Sequence, residues 1–377
     1  MDRPLSLSQV DGLLPTDDMK ERSLKTSTYE GWKRVLKDDL VLNRFKAHLG
    51  VFFASKYEGM VSFHYGVFAK RRSLLPRYYE YLFHTPQYKF VYSWASKGMT
   101  IGLQNLSNTD FYKVRSPYPP EEEQRRIVSF LDSKCGKIDR LVAAKEKEVA
   151  LLKELKQSMI AEAVTGRTSN RPMKPSGIPW LPELPEGWEV RKVRQVATEN
   201  KARNNDGQEG NVLSLSYGRI IRKVNPNAGL TPADYSTYSV VDKDMVVLRL
   251  TDLQNDHRSL RTGIVRERGI ITSAYVSIKP KGILPDYLHL MLHAWDLLKI
   301  FYTMGDGLRQ TMNFADVARI PILLPSLPEQ REIVAYIEAR AAKIDAAVGK
   351  LEAEVAALKE YRERLVADVV TGQRKVV

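Results

Sequence analysis

Apolar residues return along this chain in two rhythms. Over residues 121–164 they come in alternating steps of four and three, at Leu131, Cys135, Ile138, Val142, Val149, Leu152, Met159 and Ala163. Near the C-terminus the same rhythm gives Ile337, Ala341, Ile344, Val348, Leu351, Val355, Leu358, Leu365 and Val369. Heptad spacing predicts a long helix with an apolar seam that pairs with another. Lys156 and Arg362 interrupt the seam at one shared register, where an ionic group can fix alignment. A capping box, Ser326-Leu-Pro-Glu329, opens the second helix, and Gly166 and Gly372 stand where C-terminal glycine caps belong. At 1.5 Å per residue, a helix of about 44 residues is roughly 65 Å long.

The two helical stretches are copies. Glu123–Arg167 and Glu329–Gln373 align without a gap at an offset of 206, with 20 of 45 positions identical. The segments ahead of them follow the other rhythm, short strand-like runs between turn residues. Asp38–Leu42, Gly59–Ser62 and Tyr65–Phe68 read as strands, and Leu75-Pro76 opens a helix. These also repeat: Leu5–Ser8 as Leu213–Ser216, Asp39–Val41 as Asp244–Val246, Gly59–Tyr65 as Gly269–Tyr275, and Leu75-Pro76 as Leu284-Pro285. Residues 169–185, rich in proline, read as a linker or extended arm.

The expected order is therefore a first head (1–115), a spacer helix (116–168), a second head with its proline-rich linker (169–325) and a second spacer helix (326–377). The fold class is α+β, two α/β heads with two long helices. The second head is large enough for the chain to return antiparallel, with a pseudo-twofold relation between the halves.

Charge divides the labour. The chain carries +13, with a pI near 9.5. Residues 1–115 hold 18 Lys/Arg against 11 Asp/Glu and residues 169–325 hold 21 against 16, while the spacers hold 10 against 9 and 9 against 9. Basic heads suit a polyanion and neutral helices suit protein. One cysteine, Cys135, excludes an intramolecular disulfide and a cysteine-based zinc site and fits a reducing cytoplasm. No apolar run approaches membrane-spanning length, and no basic amphipathic helix supports membrane binding.

This arrangement resembles the specificity subunit of type I restriction-modification systems. The residues that carry the likeness are Glu123-Gln124-Arg125, Lys137-Ile138-Asp139 and Val164-Thr165-Gly166 with their partners Glu329-Gln330-Arg331, Lys343-Ile344-Asp345 and Val370-Thr371-Gly372, besides Leu184-Pro185-Glu186-Gly187-Trp188. The resemblance implies that each head is a target recognition domain reading half of a bipartite site on double-stranded DNA. It implies that the helices are spacers that dock methyltransferase subunits and, through them, restriction subunits. S-adenosylmethionine, ATP and Mg are then expected on those partners, with no cofactor, no metal and no catalysis in this chain. One departure stands out: the first head has no counterpart of Trp180–Val212. Either the true start lies upstream, the gene is truncated or a segment from elsewhere completes the domain; an upstream start, or a truncated and inactive specificity subunit, is the expectation that follows.

No Walker-type loop is present, and Ser116-Pro-Tyr-Pro-Pro120 has the wrong order for an adenine-methyltransferase tetrapeptide. His289 and His293 lie four apart without a Glu beside the first, which is weak for a metal. Phosphate contact needs Lys/Arg, and base reading needs Arg, Asn, Gln or Lys at groove depth. The candidates are Asn43, Arg44, Lys46, Lys56, Gln104 and Asn105 in the first head, and Arg249, Gln254, Asn255, Arg258, Arg261, Arg309 and Gln310 in the second. The competing reading is a coiled-coil scaffold with two basic heads and no DNA specificity.

Overall fold

The heptad stretches form two continuous α-helices, Glu121–Val164 and Leu327–Val370, of 44 residues each. They come from a computed structural model that describes residues 3–9, 11–19, 29–71, 73–98, 104–223, 235–253, 260–303 and 311–376. Both helices end as their glycines dictate, because Gly166 and Gly372 take φ of 77° and 76°, which a β-carbon disfavours. Packing divides the chain into two units: residues 1–147 with 351–377, and residues 148–350. Each unit thus takes one end of each helix.

In unit one, β1 (Leu5–Ser8) and β2 (Gly12–Pro15) form a hairpin, and β3 (Lys33–Val35) pairs with β6 (Gly59–Val61). The central strand β4 (Leu40–Asn43) lies between β5 (Phe52–Ala54) and β7 (Tyr65–Phe68), antiparallel to both. Helices α1 (Pro76–Phe83), α2 (Pro86–Ala95) and α3 (Asn108–Lys113) follow, the first two opened by proline, which is pre-set for a first helical turn. The core joins Leu42, Phe52, Tyr78, Leu82 and Tyr92 to Ile127, Leu131 and Cys135 of the first long helix, α4 (Glu121–Val164). Leu365, Val366, Val369 and Val370 of the second long helix complete it. These helix ends are walls of the head's core.

Unit two repeats the plan from the end of α4 onward. Within residues 169–185, read above as a linker or extended arm, residues 173–185 form an antiparallel hairpin of β8 (Met173–Ile178) and β9 (Leu181–Pro185). Ile178, Leu181 and Leu184 are buried, and that apolar spacing is what ties the segment down. Then come β10 (Glu189–Lys192), α5 (Val193–Val196), β11 (Ala197–Glu199), β12 (Leu213–Ser216), β13 (Arg219–Arg222) and β14 (Ser239–Val241). β15 (Val246–Leu248), β16 (Thr262–Ile264), β17 (Gly269–Ile271) and β18 (Val276–Pro280) follow, with a four-stranded sheet in the order β11-β18-β15-β16. Helices α6 (Pro285–Leu297) and α7 (Phe314–Val317) and strand β19 (Pro321–Leu324) lead into α8 (Leu327–Val370). Met159, Ile160, Ala163 and Val164 of α4 and Ile337 of α8 close this core.

The duplication is visible atom by atom. The Met60 amide donates to the Arg3 carbonyl and the Ile270 amide to the Asn211 carbonyl, both at 2.9 Å. A β-carbon on Gly59 would lie 2.2 Å from the Arg3 oxygen, and one on Gly269 would lie 2.4 Å from the Asn211 oxygen. Only glycine permits that approach. Asp38 and Asp244 both take positive φ, 68° and 69°, just ahead of the central strand.

The buried glutamines Gln124 and Gln330 bolt each head to a helix start. The Leu75 amide donates to Gln124 Oε1 at 2.8 Å and the Leu284 amide to Gln330 Oε1 at 2.9 Å. Their Nε2 groups donate to the Pro119 and Pro325 carbonyls at 2.8 and 2.9 Å. At the opposite helix end, Tyr78 Oη donates to the Val370 carbonyl and Tyr287 Oη to the Val164 carbonyl, at 2.9 and 3.4 Å.

Along the helices, Leu131, Val142, Ile337 and Val348 are buried. Ile138, Val149, Leu152, Ile344, Leu351, Val355 and Leu358 are half-buried. Ion pairs join the two helices within each unit. Lys145 meets Glu354, Glu146 meets Lys359 and Asp139 meets Arg362 in unit one, while Lys156 meets Asp345 in unit two. From Asp139 to Lys145 the numbers rise while from Arg362 to Glu354 they fall, so within unit one the helices run antiparallel.

Candidate nucleic-acid interface

In each head the loop that follows the surface helices docks against the end of the central strand. In unit one, β4 ends at Asn43, whose side-chain oxygen accepts from the Phe45 amide at 3.1 Å and starts a 3-10 turn over Arg44–Leu49. The Leu106 amide donates to the Arg44 carbonyl at 3.1 Å, and Asn105 exchanges backbone hydrogen bonds with Lys97 at 2.9 and 3.1 Å. Four sequence candidates, Asn43, Arg44, Gln104 and Asn105, are thereby brought together, all half-buried, with Lys46 exposed beside them.

Cations and aromatics mix here. Lys33 donates to the Tyr65 carbonyl at 2.6 Å, and its pKa is lowered by burial first and the Arg44 charge second. Exposed Phe45 lies 5.8 Å from the His64 ring, and exposed Phe63 lies 4.0 Å from it. Lys97 and Lys113 share Asp110, whose carboxyl is held down to about 2 by the Ser107 hydroxyl and those two ammonium groups. Lysines and arginines beside exposed ring faces are what backbone and base contact require.

Lys56 lines a cavity of about 450 Å³ with Glu80, His84 and Lys89. There burial, then the Lys89 charge, push the His84 imidazole down to about 4, and burial raises Glu80 despite Arg77 beside it.

Unit two docks its corresponding loop in the same way, with the Met312 amide on the Leu250 carbonyl at 3.0 Å. Arg249 is half-buried, and its amide donates to the Arg261 carbonyl at 2.8 Å. Arg261, grouped above with the DNA-facing residues, is fully buried. Its guanidinium donates to the carbonyls of Arg249, Thr251 and Asp252 at 3.3, 2.7 and 3.3 Å and to Tyr302 Oη at 3.2 Å. Its amide donates to Asp296 Oδ2 at 2.7 Å. Inward-turned loop carbonyls call for a residue with many donors, and arginine has five. Arg261 shapes the loop from within. Gln254, Asn255, Arg258, Arg309 and Gln310 lie outside the described residues.

Two features were not singled out from sequence. The β12–β13 hairpin presents Tyr217, 87% exposed, with exposed Arg219 and Arg222. Tyr217 and Arg219 share a groove of about 760 Å³ with Arg266, His289 and His293. The signal was there in Ser216-Tyr-Gly-Arg219, a turn between alternating apolar positions with basic residues on the outward side. The second feature is α2, where Phe90 and Trp94 stand 65% and 78% exposed.

His289 and His293 lie with ring centroids 6.0 Å apart, and burial pushes their imidazoles down to about 3 and about 4. Among the described residues, no three His, Cys, Asp or Glu side chains gather as a metal site, and no helix is long and apolar enough to cross a membrane.

No family model matches the chain. In curated sequences it is 24% identical over 303 residues to the EcoBI specificity subunit of the type I restriction enzyme of Escherichia coli, covering 73% of this chain and 61% of that one. In sequence the likeness is to type I specificity subunits. Over 334 residues the chain is 20% identical to the StySPI type I specificity subunit of Salmonella potsdam, covering 82% of this chain and 67% of that one. A solved chain from work on complex assembly and conformational transition of the type I R-M system superposes with a TM-score of 0.69 at 18% identity. That match covers 91% of this chain and 84% of the other and concerns the fold. The matched region spans about three fifths of the EcoBI subunit's length.

Proposed function

We propose that this chain is the DNA-reading, non-catalytic subunit of a type I restriction-modification complex. Each head is a target recognition domain, residues 1–115 and 169–325, and reads one half of a split duplex site. The two helical segments, 116–168 and 326–377, hold the half-sites at a fixed separation and dock methyltransferase subunits. S-adenosylmethionine, ATP and Mg belong to the partner subunits. The carrying observation is the internal duplication: two basic heads, each with a loop pinned to the end of its central strand, on near-neutral antiparallel helices. A polyanion with approximate twofold symmetry matches two such heads, since half-site spacing mirrors head spacing.

Co-purification with a methyltransferase partner followed by methylation mapping tests the reading. A bipartite recognition sequence is expected, and methylation without sequence preference refutes it. Duplex binding should weaken steeply with salt, whereas a scaffold lacking DNA specificity would show no duplex affinity at any salt.

A further inference from the structure

The two heads keep one framework and differ at a turn tip. In unit one the Tyr65 amide donates to the Ser62 carbonyl at 3.0 Å and closes the turn between β6 and β7. In unit two the Tyr275 amide donates to the Thr272 carbonyl at 3.1 Å and closes the turn between β17 and β18. The flanks match, Gly59-Met-Val-Ser62 and Tyr65 against Gly269-Ile-Ile-Thr272 and Tyr275. The tips do not: the first head carries Phe63-His64 and the second Ser273-Ala274, all four exposed. A neighbouring turn changes with them. Aligned on the docking hydrogen bonds, Leu106 to the Arg44 carbonyl and Met312 to the Leu250 carbonyl, Phe45 stands where the second head has Thr251.

In the first head the three rings gather beside the end of the central strand, because Asn43 of β4 pairs with Tyr65 of β7. His64 lies between the two phenylalanines, 4.0 Å from the Phe63 ring at 39° and 5.8 Å from the Phe45 ring at 60°. Phe63 is 53% exposed and Phe45 39%. Cations surround this open apolar patch. Lys33 reaches the Tyr65 carbonyl, Lys46 is exposed, and the buried Nε of Arg44 has no hydrogen-bond partner among the described residues. An apolar patch rimmed by charge marks a contact surface, and lysines and arginines beside it supply the attraction to phosphate.

We propose that Phe63 and Phe45 make an apolar contact with the 5-methyl group of a thymine in the major groove and so help set the half-site of the first head. This rests on the heads being DNA-reading domains. Two physical arguments select the contact. The thymine methyl is the apolar feature of the base edges in that groove, and phenylalanine is among the side chains suited to meet it. Insertion between base pairs is the other use of an exposed ring, and it needs a ring with both faces open. Phe63 has given one face to His64, so it meets a base edge from the groove instead of entering the stack. Ser273 and Ala274 are shorter by a ring, so the second head, on the same backbone turn, lacks the reach to make this contact at the same depth. Two heads that differ there on a shared frame are suited to two different half-sites.

The test uses the full chain with its methyltransferase partner and duplexes carrying the bipartite site that methylation mapping gives. Each thymine, on either strand, is replaced singly by deoxyuridine, which removes the methyl group alone. Replacement of the contacted thymine should weaken binding about fourfold, the worth of a buried methyl group. Phe63→Ser with His64→Ala gives the first head the second head's tip at an exposed turn. That variant should keep its melting temperature, bind the thymine duplex about fourfold more weakly and no longer distinguish thymine from deoxyuridine at that position. Deoxyuridine tolerated at every position, or a deoxyuridine loss that the variant retains in full, would overturn the proposal and leave the bipartite reading standing. Methylation without sequence preference would overturn both.

Discussion

Lys156 donates to both carboxylate oxygens of Asp345, at 2.8 and 2.7 Å, and the pair has a twin. Arg362 and Asp139 occupy the repeat-equivalent positions and meet at 2.7 Å. Each is half-open to solvent, so each stabilises by about 0.5–1 kcal/mol and acts mainly on register. Lys156→Glu should lower stability by more than Lys156→Ala, because like charges then face each other. Adding Asp345→Lys should recover most of the loss, and urea unfolding of the four proteins in a double-mutant cycle measures the coupling.

Gln330 is 1% exposed and is bonded on both faces of its amide. Gln330→Leu leaves the Leu284 amide and the Pro325 carbonyl without these partners in a buried site. A loss of about 2–4 kcal/mol is expected, with the same size of effect for Gln124→Leu. Calorimetric melting of the variants reads it directly.

Arg261 and Lys46 should separate folding from binding. Arg261→Leu strips donors from three loop carbonyls and should cost about 3 kcal/mol or more, visible in thermal melts. Lys46→Ala should leave the melt unchanged, weaken duplex binding modestly for every sequence and reduce the salt slope by about one. A shallow melt change for Arg261→Leu coupled to altered sequence preference would instead put Arg261 on the DNA.

Acid should destabilise the heads through buried imidazoles. His84, His289 and His293 titrate in the fold at about 4, 3 and 4, against an ordinary 6.5. Their folded values are depressed, so between pH 6.5 and 4 the unfolded chain binds protons that the native chain does not. Stability is intact above pH 6.5 and falls as pH drops through that window, by about 1–2 kcal/mol per imidazole with partial solvent screening. Melts from pH 7 to 4 should show the decline, and His289→Gln with His293→Gln should flatten it.

Periodicity disclosed the helices because an apolar seam sustained over about nine turns has few other readings. Their limits followed from Ser326, Gly166 and Gly372. The duplicated heads were legible from paired fragments such as Gly59 and Gly269, whose reason, a carbonyl a little over 2 Å from where a β-carbon would sit, needs coordinates. Residues 169–185 were legible only as extended chain, because proline signals that whether or not Ile178, Leu181 and Leu184 find a core to enter. Arg261 misled for a related reason: composition records a cation and says nothing of three carbonyls waiting for it. Tyr217 was missed because a turn tyrosine looks the same in sequence whether it is core or 87% exposed.

The two heads differ in how much of the chain their cores need. The second head draws all of its core from the contiguous stretch 148–350, whereas the first needs Leu365, Val366, Val369 and Val370. The core of the head synthesised first therefore depends on the last turns of the last helix, and that of the head synthesised second does not. A chain truncated after Lys350 should show a protease-resistant second head beside an unprotected first, so a C-terminal lesion is felt at the N-terminus.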